Sequence, residues 1–306
     1  MNFLSMDYFV AVAREMSFTK AAEKLHITQQ TLSAHISAIE RELGCQLLIR
    51  HVPLKLTYAG QVFLRYAASF QRDYNAMKQE FCDITSSQRG ILRIGIAHTR
   101  GRAVMPELID AFQRQYPNIS VHLVESSNDT LHKYVLAGDV DLAIANFPGA
   151  LQGMELRDFY REEMLLLVSR ALLAAHGIDG EKAAEEIAGG DLSALAGCPF
   201  VLGTPGDINS RIGLSAFRRS GLRPVIKAES DNVETLLSLC VRGVGACFCP
   251  KNLMLTVLPP EQLASLRIFS LGDSAEYPIR FGYLKQSYQW SMIDEFIRIA
   301  CSLSGK

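Results

Sequence analysis

Apolar positions between Ser17 and Gly44 keep a helical period in two short runs separated by a turn. Phe18, Ala21, Ala22 and Leu25 form the first run. Ser17 precedes it as an N-cap, and the small Ala21–Ala22 pair lets a crossing helix come close. His26 stands where the chain must turn, and His is one of the residues tolerated at positive φ. Ile27 can plug the junction. Thr28 is an N-cap for the second run, whose stripe is Leu32, Ile36, Ile39 and Leu43. Gly44 suits the position just past the helix end. With the stripe turned inward, Gln29, Gln30, Thr31, Ser33, Ala34 and His35 face outward. Upstream, residues 1–15 read as an amphipathic helix.

The segment from Val52 to Thr57 reads as a short β-ribbon around Pro53, and Thr57 caps the next helix. That helix runs from Thr57 to Ser86 without an internal proline. Phe63, Phe70, Met77 and Ile84 recur every seven residues, and Ala67, Tyr74 and Phe81 form the second heptad set. These are coiled-coil d and a positions, although a helix packed on its own domain would look similar. Ser86-Ser87-Gln88-Arg89-Gly90 breaks the helix and predicts a hinge.

Beyond the hinge the period changes. Strand-like Ile91–Ala97 is followed by a helix over Ala103–Tyr116, with Pro106 in its first turn. Strand Ile119–Val124, helix Asn128–Ala137 and strand Asp141–Asn146 complete one βαβαβ cycle, which predicts a mainly parallel sheet. A second cycle runs through Phe200–Leu202, Ile208–Ser220, Val225–Glu229, Asn232–Arg242 and Ala246–Cys249. Two such halves, joined near Tyr160–Glu163 and Leu266–Leu271, predict a bilobed α/β binding fold. A last helix over Trp290–Leu303 would return to the first lobe. Ala171–Gly197 reads as irregular, with a helix-like EKAAEEIA.

The outward residues of the second short helix carry chemistry. Gln pairs bidentately with adenine, and Ser or Thr bonds to bases or phosphate. A recognition helix reads bases with its N-terminal turns, which here are Gln29, Gln30, Thr31, Ser33 and His35. From Leu43 to Arg72 there is no acidic residue, while Arg50, Lys55, Arg65 and Arg72 are basic. Arg50 and Lys55 flank a wing suited to phosphates or a minor groove, and Thr28 and Thr57 can reach the backbone.

Phe9, Ser17-Phe18, Ala21-Ala22, Leu25, Gln29, Leu32-Ser33, Ile36, Ile39-Glu40, Leu43-Gly44, Leu47, Arg50, Leu56-Thr57 and Gly60 together resemble the DNA-binding domain of LysR-type transcriptional regulators. The resemblance is close over about the first 65 residues and looser beyond. Gln30 stands where the family usually has Pro, and Ala34 where it often has a basic residue. The resemblance implies an all-α winged helix-turn-helix domain (residues 1–60) and a dimerising linker helix with its hinge (61–89). It then implies a periplasmic-binding-protein-like effector domain (90–306). Lobe I is placed at 90–162 and 270–306, and lobe II at 163–269. A homodimer through the linker would read a pseudo-palindromic duplex. A homotetramer follows from the resemblance alone.

In open α/β sheets, ligands bind beyond the carboxyl ends of strands. Those ends offer Thr99, Arg100, Ser126, Ser127, Phe147, Thr204, Asn232 and Phe248 for a small effector, with an anion as one candidate class. The hydroxyls and the amide are equally suited to helix capping. No metal or other cofactor is expected. There is no P-loop, HExxH, GxSxG or CxxC, and no GxGxxG follows a strand, so an enzyme is not expected.

Composition adds limits. The chain has 306 residues, 48% hydrophobic and 21% charged, with a formal net charge of −1. Any affinity for DNA must therefore come from a local basic face. No apolar run approaches the roughly 18–20 residues of a membrane span, and the N-terminal stretch does not read as a signal peptide, so a cytoplasmic location is expected. Seven scattered cysteines argue for reduced thiols. Two other functional readings remain open: a solute-binding module without DNA function, and a thiol sensor using Cys247 and Cys249.

Overall fold

The computed structural model describes residues 2–51, 53–85, 89–204, 208–286 and 288–304. Val52 of the expected ribbon, Ser86, Ser87 and Gln88 of the expected hinge, and Pro205 lie outside the described residues. The chain divides into two units, residues 1–87 with 287–290, and residues 88–286 with 291–306.

The first unit opens with α1 (Phe3–Glu15), α2 (Phe18–Lys24) and α3 (Gln29–Leu43). Short strands β1 (Leu48–Ile49) and β2 (Lys55–Leu56) pair antiparallel, and α4 (Tyr58–Ile84) follows. Local chemistry sets each boundary. Ser17 Oγ accepts from Lys20 N–H, and Thr28 Oγ1 accepts from Thr31 N–H. His26 takes a φ of 55°, the left-handed turn between α2 and α3. Phe9, Ala21, Leu32, Ile36 and Ile39 meet in one core. Leu43 does not join the stripe: at the last turn of α3 it stands 43% exposed. Phe63 and Ala67 of the heptad set belong to this core, while Phe70, Tyr74, Met77, Phe81 and Ile84 are 42–69% exposed.

The second unit begins with β3 (Gly90–Ala97), α5 (His98–Gln115), β4 (Ile119–Ser126), α6 (Asn128–Ala137) and β5 (Leu142–Ala145). β3 lies parallel to both β4 and β5. α5 starts five residues before the expected Ala103, directly off β3, and Pro106 lies inside the helix. Thr99 and Arg100 therefore occupy a first helical turn rather than a loop.

The chain then enters β6 (Met154–Ser169), a strand that the alternation of motifs does not announce. α7 (Arg170–Ala175), α8 (Gly180–Ala188) and a 3-10 turn fill the segment read as irregular. β7 (Pro199–Gly203), α9 (Ile208–Arg219), β8 (Val225–Ser230), α10 (Val233–Val241) and β9 (Cys247–Pro250) form the second cycle. α11 (Lys251–Val257), α12 (Pro260–Ala264), β10 (Leu266–Ser270), β11 (Glu276–Leu284) and α13 (Ser291–Ser304) end the chain. The first half of β6 pairs with β11, which pairs with β5; its second half pairs with β9 and β10. One strand thus serves both lobes. α13 returns to lobe I, where Phe296 meets Phe112 of α5.

Cys240 of α10 and Cys247 and Cys249 of β9 sit in the core of lobe II, the latter two on one face of the strand as alternation requires. Contact with Cys240 and burial hold the Cys247 thiol well above its usual range, and burial does the same for Cys249. Burial and Cys240 push Cys198 up to about 11. The thiolate is the reactive form, so these neutral buried thiols do not suit a redox sensor. A thiol-specific dye added to native protein is expected to modify exposed Cys45 and Cys301 and to spare Cys198, Cys240, Cys247 and Cys249. Fast labelling of Cys247 or Cys249 before unfolding would restore the sensor reading.

Gly60 marks a close approach, since a Cβ there would collide with the Leu47 carbonyl oxygen. Helix propensity favours Ala over Gly by about 1 kcal/mol. Forcing an atom against fixed backbone costs about 1–3 kcal/mol, and the clash should win. Gly60→Ala is expected to lower the urea midpoint of the N-terminal unit, followed by circular dichroism of the full chain. A variant as stable as wild type would contradict the packing.

Candidate functional site

The first candidate surface is the exposed side of α3. Gln29, Gln30, Thr31 and Ala34 are exposed. The hydroxyls of Thr28 and Thr31 also pair at 2.8 Å, which stiffens the first turn. Ser33 is half-buried and accepts from Arg50 Nη1 at 3.4 Å. Arg50 Nη2 donates to Ser37 Oγ at 3.1 Å and to Glu40 Oε2 at 2.9 Å. Its guanidinium also lies over the Phe18 ring. Glu40 Oε1 accepts from the backbone N–H groups of Leu47 and Leu48 at 2.9 and 3.2 Å. One carboxylate therefore ties the reading helix to the base of the wing. Sequence reasoning met Glu40 only as a matching family letter.

Lys55 is exposed on β2, opposite Ile49. Thr57 Oγ1 accepts from Gly60 N–H at 2.9 Å and donates to the Gln46 carbonyl at 2.7 Å, so its proton is already committed. His35 corrects an expectation. It is half-buried, its Nδ1 lies 2.9 Å from Ser5 Oγ, and its ring meets Tyr8 edge-on at 4.9 Å. At that point of the helix turn the side chain faces α1, not the reading surface.

The second candidate site is a cleft of about 1060 Å³ in the α/β unit. Thr99, Arg100, Ser126, Ser127, Thr204 and Asn232 all line it. Ser127 caps α6 and Asn232 caps α10, so their acceptor oxygens are already used. The hydroxyls of Thr99 and Ser126 make no hydrogen bond among the described residues. α5 opens onto the cleft with Ala97 at its N-cap and no side-chain cap. Its first N–H groups carry the positive end of the helix dipole.

Arg100 is 3% exposed, and its Nε and Nη1 are buried without a hydrogen-bond partner among the described residues. Its guanidinium lies 5.8 Å from the Tyr277 ring centre. Glu162 of β6 is also buried. Burial raises its carboxyl above the usual range, while Arg100 acts against that shift. Among the described residues, Arg102 of α5 pairs with Glu234 of α10 across the cleft, and Arg211 of α9 donates to Asn146 Oδ1 at 3.4 Å. Neither was visible in sequence, because each joins residues far apart in the chain.

Two expected cleft residues are not there. Phe147 is 1% exposed and packs with Leu131, Val135 and Met154 in the core of lobe I. Phe248 is 5% exposed and lies against the rings of Phe200 and Phe217. Phe147 lies just past β5 and Phe248 within β9, and an aromatic ring is better buried than left in a polar cleft. Phe248 instead walls a side cavity of about 60 Å³ with Leu202, Leu214, Phe217, Ile226 and Leu236. No described group of His, Cys, Asp and Glu has the makings of a metal site. No described helix is long and apolar enough to cross a membrane.

The family model described as bacterial regulatory helix-turn-helix protein, lysR family, matches residues 3–61, and that of the LysR substrate binding domain matches residues 85–301. An uncharacterised HTH-type transcriptional regulator of Bacillus subtilis (strain 168), YcgK, is 31% identical over 263 residues, 82% of this chain and 80% of its own. The nitrogen assimilation regulatory protein Nac of Klebsiella aerogenes is 28% identical over 257 residues, 82% of this chain and 79% of its own. Full-length CbnR, crystallised with its target DNA, shares the fold with a TM-score of 0.62 at 23% identity, covering 98% of this chain and 99% of that one. Full-length BenM does so with a TM-score of 0.55 at 25% identity, covering 100% and 98%. The chain belongs to the LysR-type transcriptional regulators, with a helix-turn-helix DNA-binding domain followed by an effector-binding domain.

Proposed function

We propose that this regulator reads a pseudo-palindromic duplex as a dimer joined through α4, and that an anion in the cleft sets how the dimers are arranged. The observation that carries the DNA reading is the bare first turn of α3, where Gln29, Gln30 and Thr31 are exposed beside the wing lysine Lys55. Gln29 and Gln30 supply amides for base edges, and Thr31 and Ser33 supply hydroxyls. Arg50 and Lys55 meet phosphates, while Thr28 and Thr57 fix the starts of the helices that approach the backbone. The domain limits proposed are 1–60, 61–89 and 90–306.

The exposed apolar side chains Phe70, Tyr74, Met77, Phe81 and Ile84 support pairing of two α4 helices. A tetramer would follow from pairing such dimers, as the family resemblance implies. A protein that acts on DNA shares the compartment that holds it, which supports the expected cytoplasmic location.

For the effector, the carrying observation is the buried Arg100 with two unpartnered guanidinium nitrogens beside the uncapped start of α5. A carboxylate or similar anion satisfies both. It would shift the assembly only through unequal affinity for its arrangements. Arg102–Glu234 and Arg211–Asn146 are the contacts across the cleft that such a shift would rearrange.

Gln29→Ala is expected to lose about 1–3 kcal/mol of discrimination at one base pair per half-site. Selection of bound sequences from a random pool reads this directly, and an unchanged preference would remove Gln29 from the reading set. Lys55→Ala is expected to weaken all sequences alike and to flatten the salt dependence by about one unit of slope. A change in sequence preference with an unchanged slope would contradict its phosphate role.

A further inference from the structure

We infer that the effector is an amphipathic carboxylate, its anionic end on Arg100 and the first turn of α5, its alkyl end in the side cavity of lobe II. The inference rests on the anionic reading of the cleft given above and adds the apolar half of the ligand.

The side cavity adjoins the cleft: Asn209 and Val233 line both. Beyond them the walls are mainly apolar, with Leu214, Phe217, Ile226 and Phe248, while Ser210 and Glu229 add polar groups to the lining. Such walls give water few hydrogen-bond partners, so water inside is easily displaced by an apolar group. A water needs about 10–15 Å³ of such space. The cavity offers about 60 Å³, enough for a short alkyl segment.

Its shape is set by the fold rather than by a side chain free to swing in and fill it. α9 passes Phe248 at Gly213, where a Cβ would lie only 2.7 Å from two ring carbons. The ring is therefore held between that helix and the rings of Phe200 and Phe217. At the other end, the Arg100 guanidinium has no partner for Nε or Nη1 and is 3% exposed. A ligand made only of polar groups leaves the cavity wet, and a purely apolar one leaves those two guanidinium nitrogens without an acceptor. One molecule carrying both ends answers both and touches both lobes at once, since α5 belongs to lobe I and α9 and β9 to lobe II.

Isothermal titration of the full-length protein with straight-chain carboxylates of two, four, six and eight carbons tests this, with the primary amides of the same lengths as neutral partners. The acids are expected to bind at least tenfold more tightly than their amides. Affinity should stay near that of acetate for the shorter acids. It should then rise by about fourfold per methylene once the tail reaches the cavity. Leu214→Gln, at a half-exposed position, should keep acetate binding within about twofold, which shows an intact cleft, and abolish the gain with length.

Acids that bind without any gain from length, or a gain that survives Leu214→Gln, overturn the apolar half and leave the anionic reading standing. Amides that bind as well as acids overturn the anionic reading. Absence of binding by every acid overturns the carboxylate class itself.

Discussion

The effector domain depends on one backbone constraint: β6 satisfies the hydrogen bonds of two sheets. Its first half is laddered to β11 and its second to β9 and β10. Each lobe builds outward from its own end of this strand, so the crevice between them must open where the strand changes partners. Glu162 sits at that change, buried, and accepts from the N–H of Asn252 at the start of α11. Arg100 faces the same region from α5 and supplies the counter-charge. A buried charge is tolerated only with a partner. The pair therefore couples the floor of the cleft to the strand that both lobes share.

In the first unit a single carboxylate has a comparable place. Glu40 receives two backbone N–H groups at the wing base and the Arg50 guanidinium. The wing is short, with only two-residue strands, and such a ribbon has little stability of its own. Its position relative to α3 comes from this clamp and from the Gly60 contact with Leu47. Geometry that reads DNA is thus set by residues that need not touch DNA. His35 is another such residue, spent on α1 although it lies in the reading helix.

Much of this was legible in the amino-acid pattern. The caps at Ser17, Thr28, Ser127 and Asn232 do what their residue types do locally. The left-handed turn falls on His26. Helix and strand periods placed α2, α3, α4, β3, β4 and α6 within a few residues. The misses have local causes. Pro106 suits a first turn and so points to a helix start near Ala103, yet a long helix tolerates an internal Pro when tertiary packing holds it. β6 carries no single period, since charged Asp158 and Arg161–Glu163 precede the apolar run Met164–Val168, whereas Tyr277, Ile279, Phe281 and Tyr283 do alternate along β11 and are a strand signal the chain carries. Strand position alone does not say whether the rings of Phe147 and Phe248 face the cleft or the core.

By itself the sequence determined the kinds of elements, their caps, the bare polar turn of α3, the acid-free wing and the family. These depend on contacts within a few residues, where steric and capping rules act directly. Tertiary structure alone decided that Arg100 lies buried with unpartnered nitrogens and that Arg102 meets Glu234 across the cleft. It also decided that Glu40 ties helix to wing, and that an apolar cavity adjoins the polar one. Each of these joins residues distant in the chain, and burial, charge pairing and cavity shape exist only once the chain has closed on itself.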